Sequence, residues 1–178
     1  MSTGPSAPLA VPLARAATAR DVEKLKAHPD VNRHGWQIEY DGSLLVTVTL
    51  LARAPGYGSD QVDPYVLSLE CDSYDEWPPE VRFVNPGTHQ YMVGQDERWL
   101  PRIEGFPNFG LHARYQGFIN APKRVDQLVC FSLTRGYYDS NHSPTSQQRW
   151  IQSRHWLYST IKVLHRALQP TYYRGRVG

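Results

Sequence analysis

Between residues 35 and 84 the chain offers four strand-forming runs in succession with no helical run among them, and this order constrains the fold most. Gly35-Trp36-Gln37-Ile38-Glu39-Tyr40 alternates apolar and polar residues with period two, and the Asp41-Gly42 pair behind it is a tight-turn signal. Leu44 to Leu51 is apolar and β-branched, the profile of a strand covered on at least one face. After a loop over residues 54–63, Tyr65 to Cys71 sets Leu67, Leu69 and Cys71 on one face and Val66, Ser68 and Glu70 on the other. Val81 to Val84 is a short fourth strand after Pro78-Pro79. Upstream, Thr18 can cap a short helix over Ala19 to Ala27 that Pro29 stops, with Val22 and Leu25 on its buried side. A helix followed by an antiparallel meander predicts an α+β domain, not a chain of βαβ units.

The second half is less regular. Residues 85–127 hold Gly, Pro and the aromatics Tyr91, Trp99, Phe106, Phe109, Tyr115 and Phe118 without a sustained period, and read as an irregular insertion that is functional or hides short elements. The apolar run Gln127 to Leu133 follows, with Cys130 at its centre, and then a polar loop from Thr134 to His142. Ser143-Pro144 supplies an N-cap and a first-turn proline for a long helix from about Thr145 to Leu168. Trp150, Leu157, Ile161, Leu164 and Leu168 make its apolar stripe. Residues 1–16, rich in Ala, Pro, Ser and Gly, read as a flexible tail, and the last eight residues as another, leaving one domain over residues 17–170.

Composition narrows the function classes. A chain of 178 residues is long enough for one domain with a real core. Net charge is only +2 with the basic residues scattered, so no electrostatic case for nucleic acid or a membrane surface arises. No apolar run approaches the roughly 20 residues of a membrane span, and no basic-then-apolar leader stands at the N-terminus. Two cysteines cannot make a disulfide framework, and the usage suits the cytoplasm. The seven histidines are dispersed without zinc-ligand spacing, and no glycine-rich phosphate loop is present, so neither a metal nor another cofactor is expected.

Tyr74-Asp75-Glu76-Trp77-Pro78-Pro79-Glu80-Val81-Arg82-Phe83 resembles the stretch that follows the third strand in ubiquitin-conjugating enzymes, with Tyr74, Pro78, Pro79, Val81 and Phe83 matching and Asp75 in place of a proline. Cys130-Phe131-Ser132-Leu133 and His142-Ser143-Pro144 are similar to the same family's active-site block and to the start of the helix after it. The likeness covers roughly residues 18–85 and 127–170. It departs in two places. The family's His-Pro-Asn is missing where His89 is followed by Gln90 and Tyr91, and Phe106-Pro107-Asn108 looks like a displaced, degenerate version. The stretch from Pro79 to Cys130 is also much longer than in the family, and the chain ends soon after Leu168. A short form of this kind resembles the conjugating enzymes of bacterial ubiquitin-like operons, which work beside an activating enzyme.

The resemblance implies acyl transfer through sulfur. Cys130 would carry the C-terminus of a ubiquitin-like protein as a thioester and pass it to an amine on an acceptor protein. Exposure of Cys130 beside a polar loop fits that role; a buried core cysteine is the plain alternative, and is the reading for Cys71. The oxyanion of thioester collapse needs a donor, for which Asn108 is the first candidate and Asn120 the second, although either suits a loop turn. Asp139 and His142 are candidates to assist the attacking amine or, more plainly, solvated loop residues. His89 carries over only as a backbone-bonding residue near the site. The reading that competes with a conjugating enzyme is an inactive module of the same fold that scaffolds a ubiquitin-like protein or another partner.

Overall fold

The structure, a computed structural model, describes residues 11–178; the first ten residues of the expected N-terminal tail lie outside the described residues. The meander is present. Strands β1 (Gln37–Tyr40), β2 (Leu45–Ala52), β3 (Asp63–Glu70) and β4 (Glu80–Val84) form one antiparallel sheet in chain order. Its register pairs Ile38 with Val48, Val48 with Leu67 and Leu67 with Phe83, so residues two apart on each strand share the buried face. Val46, Val48, Leu50, Leu67, Leu69 and Phe83 on that face are fully buried. Each such side chain contributes about 1.5–3 kcal/mol by leaving water. Thr47, Thr49, Ser68 and Arg82 stand on the other face, as pairing and alternation require. The protein is therefore α+β, as the order of its segments predicts.

Two helices cover the apolar face. Helix α1 (Val11–Lys26) brings Ala17, Val22 and Leu25 to the core, and α4 (Leu157–Ala167) brings Leu157, Ile161 and Leu164. The first starts earlier than its sequence suggests, so residues 11–16, expected in a flexible tail, are helical. The alanine-rich run has high helix propensity, and Pro12 is tolerated in the first turn. Thr18 is no cap but an interior residue whose hydroxyl donates to the Ala14 carbonyl at 2.7 Å. Pro29 both ends α1 and opens α2 (Pro29–His34), where His28 Nδ1 accepts from the Asp30 amide at 3.2 Å.

Helix α4 is half the expected length. Ser143 and Pro144 do not begin it, and residues 144–156 form turns. Tertiary contacts override the local signal: the Trp150 indole is buried and donates to the Asp75 carbonyl at 2.9 Å, and the Trp150 amide donates to the Tyr138 hydroxyl at 2.9 Å. The helix starts where the Leu157 amide reaches the buried Tyr74 hydroxyl, which itself donates to Asp21 of α1. That ties the Tyr-x-x-x-Pro-Pro stretch to both covering helices.

The presumed insertion and the last residues are ordered into strands. Strand β5 (Pro101–Ile103), after a 3-10 turn at Glu97–Trp99, pairs with β8 (Tyr173–Arg176), so the chain end is no tail: Tyr173 is fully buried, with its hydroxyl 2.8 Å from that of Tyr65. Strands β6 (Gly110–Phe118) and β7 (Ala121–Cys130) form a separate hairpin. Leu111, Ala113 and Val129 lie on its core side, and Phe118, Leu128 and Cys130 begin a second, small cluster on the other. A short helix, α3 (Arg135–Asp139), stands where a polar loop was expected.

Candidate active site

Cys130 is the last residue of β7, and its surroundings follow from that placement. Phe131 continues into the main core and is buried, which anchors the strand end. Just beyond, the buried Thr134 hydroxyl donates to the Val129 and Phe131 carbonyls at 2.7 and 2.9 Å, turning the chain into α3. The Arg135 amide donates to the Pro79 carbonyl at 3.0 Å, so the proline pair holds the start of that helix. Gly136 faces Leu128 of β7 so closely that a Cβ there would lie 2.7 Å from the leucine methyl. The hairpin tip is fixed as well, the Ile119 amide donating to the Asp139 carbonyl at 2.8 Å. Strand β7 and α3 thus clasp the cysteine from two sides.

A cleft of about 340 Å³ opens over the sulfur, walled by Asn108, Phe109, Gly110, His112, Ser132, Tyr137, His142 and Gln148. Gly110 is the cross-strand partner of Cys130. None of these walls is a lysine, arginine or carboxylate. Cys130 itself is 9 % exposed, less than an open carrier position suggests. Burial pushes its thiol above the ordinary value, with the Ser140 hydroxyl opposing the rise. His142 Nδ1 lies 3.9 Å from Cys130 Sγ and 2.9 Å from Ser140 Oγ, and the Ser140 hydroxyl donates to the Tyr137 carbonyl at 3.0 Å. The Tyr137 ring lies over the imidazole, with centroids 4.9 Å apart.

The candidates divide between two neighbouring cavities. Asn108 shares the cleft with Cys130 and His142; its φ of 54 is left-handed, so it also makes the turn into β6. Asn120, in the hairpin turn, and Asp139 line an adjoining cavity of about 550 Å³ with Trp77, Tyr138 and Trp150. The Asp139 carboxylate accepts from Arg135 Nε at 3.0 Å, so it is paired. His142 is the wall that the two cavities share. His89 is elsewhere: its amide closes the turn after β4 on the Asn85 carbonyl, and it lines a cleft with Arg82, Tyr91 and Asp126 on the outer side of the sheet. Cys71 is fully buried and pushed up to about 12 by burial, as a core cysteine should be.

Sequence reasoning passes over Ser140, Tyr137, Gly110, His112 and Gln148. The first two stand in the expected loop within five residues of His142, and the only hint is their nearness to it. The others arrive through hairpin pairing or turns that no period announces. The Gln148 carbonyl oxygen is held by the Thr145 amide and hydroxyl at 3.3 and 3.2 Å, leaving its NH2 available to the cleft.

Among the described residues no group of three or more His, Cys, Asp or Glu is placed to hold a metal, and no helix is long and apolar enough to cross a membrane. The chain matches no protein-family model, and a search of curated proteins returned no match.

Proposed function

We propose that the protein is a conjugating enzyme for a ubiquitin-like protein, carrying the modifier's C-terminus as a thioester on Cys130 and passing it to an amine. One observation carries this reading: Cys130 lines an open cleft whose other walls include Asn108, Gln148 and His142, the last with Nδ1 3.9 Å from the sulfur. A charged thiolate pays for its burial, whereas a neutral thioester does not, so the site suits the loaded state better than the free anion. Attack by the amine nitrogen breaks the C–S bond and returns the electron pair to Cys130 Sγ. The oxyanion of the tetrahedral intermediate needs a donor, a role worth about 3 kcal/mol; Asn108 and Gln148 supply side-chain NH2 groups in that cleft. The partners are a separate activating enzyme, the ubiquitin-like protein and an acceptor protein in the cytoplasm. The resemblance of residues 74–83 and 130–133 to ubiquitin-conjugating enzymes supports the same reading.

A second reading, an inactive module that binds a ubiquitin-like protein or scaffolds other factors, draws on the low exposure of Cys130 and the lack of a lysine or arginine in its cleft. A charging assay separates the two. The protein is incubated with activating enzyme, ubiquitin-like protein and ATP, and run on gels with and without reductant beside Cys130→Ala. A reductant-sensitive adduct lost in the variant establishes the carrier; its absence from folded protein with a working activating enzyme leaves the binding module.

A further inference from the structure

We propose that Ser140 fixes the tautomer of His142, making Nε2 the base that takes the proton from the amine discharging Cys130. The amine step rests on the conjugating-enzyme reading; the tautomer does not. Counting hydrogens leads to this tautomer. Ser140 is 5 % exposed and has a single hydroxyl proton with three acceptors about it, the Tyr137 carbonyl at 3.0 Å, His142 Nδ1 at 2.9 Å and the Cys130 sulfur; of these the neutral carbonyl can only accept, and the proton is assigned to it. With the proton assigned there, the serine oxygen accepts from the imidazole across the 2.9 Å contact, which corresponds to a proton on His142 Nδ1. The same N–H lies 3.9 Å from Cys130 Sγ, within reach of a weak bond to sulfur. Neutral imidazole carries one N–H, so the basic lone pair is on Nε2, which has no hydrogen-bond partner among the described residues. Nδ1 is turned to Ser140 and the sulfur, leaving Nε2 on the edge of the ring away from Ser140.

The histidine therefore does not deprotonate Cys130 through the nitrogen nearest to it. Its chemistry belongs to the second half of the reaction. As the amine nitrogen bonds to the thioester carbon, its proton moves to Nε2 and the C–S electron pair returns to Sγ. The imidazolium so formed keeps its Nδ1 proton beside the departing thiolate and stabilises it; Nε2 then returns its proton to water, and Sγ regains one from solvent. His142 is exposed and walls both the cysteine cleft and the larger cavity, so an amine can approach it from either side. Ser140 reaches the sulfur as well as the imidazole, but it acts on the amine only through His142 and in that step is a positioning residue.

The test has two arms. The first needs no partner protein: the protein is labelled with 15N-histidine and the His142 ring is read by long-range proton–nitrogen correlation, assigned with His142→Gln. The Nδ1–H tautomer is expected to dominate, Ser140→Ala to shift the ring toward Nε2–H, and Ser140→Thr to restore it. An Nε2–H ring in the unaltered protein, or a tautomer indifferent to Ser140→Ala, overturns the assignment. The second arm follows single-turnover discharge of preformed thioester to free lysine. Starting from the same amount of thioester, Ser140→Ala and His142→Gln are expected to discharge roughly tenfold or more slowly, the scale of a lost or misplaced base. Normal discharge by both variants overturns the base role. If the unaltered protein never charges, the conjugating-enzyme reading fails with the amine step, and the tautomer is still decided by the first arm.

Discussion

Gly110 lies directly across the β6–β7 hairpin from Cys130, and a side-chain carbon built on it comes 3.6 Å from the cysteine Cβ and 3.2 Å from His112 Nε2. The missing side chain keeps the space over the sulfur open. Its backbone is not left-handed, so what the position lacks is volume, not conformational freedom.

A Gly110→Val substitution should therefore fold and close the cleft. Valine suits a strand, and the nearest obstacle is the free end of the exposed His112 ring. Alkylation of Cys130 by iodoacetamide should slow by roughly tenfold, equivalent to about 1.4 kcal/mol of added barrier. Stopped-time mass spectrometry of the labelled protein measures it. An unchanged rate would mean that reagents reach the sulfur from elsewhere.

Gly136 is small for a different reason. The α3 backbone passes so near β7 that an alanine methyl would stand 2.7 Å from Leu128 Cδ1, and Leu128 is 1 % exposed with little room to yield. Helix propensity alone favours Gly136→Ala by about 1 kcal/mol, but overpacking a filled site costs about 1–3 kcal/mol. The overpacking is the larger effect, and urea unfolding should show a lower midpoint at constant slope. A raised midpoint would show α3 lifting off the strand at little cost.

The two cysteines should react very differently. Cys71 is fully buried and its thiol is pushed up to about 12, while Cys130 opens on a cleft. A disulfide reagent should titrate one thiol in native protein, two after denaturation, and none in native Cys130→Ala. Burial also raises the Cys130 thiol, so its thiolate fraction at neutral pH is below that of a free cysteine. Its labelling rate should go on climbing at pH values where a free thiol has levelled off. A plateau at or below the pH of a free thiol would show that His142 and Ser140 outweigh burial.

How much of this was legible in the sequence depends on how each segment earns its shape. The meander was readable because each strand carries its own period-two apolar face, and the register of Val48 with Leu67 and Leu67 with Phe83 follows from that face. The hairpin carrying Cys130 was not, because β6 and the first half of β7 are mostly exposed or half-buried and mix Arg, Lys, His and Gln with single apolar residues. The strand is held by long-range pairing, which no local pattern encodes. Ser143-Pro144 promised a helix that Trp150 prevents, its indole being bound to Asp75 in the proline-containing stretch, 75 positions away. Cys130, His142 and Asn108 were picked out by motif or chemistry and do share a cleft, whereas Asn120 and Asp139 belong to the adjoining cavity. Ser140 had no signal beyond its place near His142.

Acid should loosen the contacts that α4 makes through His165 with His34 of α2 and with Trp36. Its Nδ1 accepts from the Trp36 indole at 3.3 Å, its ring lies 4.2 Å from that of His34, and burial followed by the neighbouring His34 hold it down to about 4. An ordinary histidine in the unfolded chain titrates near 6.5. Between about 6.5 and about 4 the unfolded chain thus binds a proton that the folded protein refuses, so stability rises with pH across that window and falls as the solution is acidified through it. Above the window both states are neutral at this site and it contributes no slope. A His165→Gln variant keeps a side-chain acceptor for Trp36 but cannot titrate. Its loss of stability between pH 6.5 and 4 should be shallower than that of the unaltered protein, as the difference between two urea-unfolding series at stepped pH. Parallel curves through the window would show that His165 protonates alike in the folded and unfolded chain.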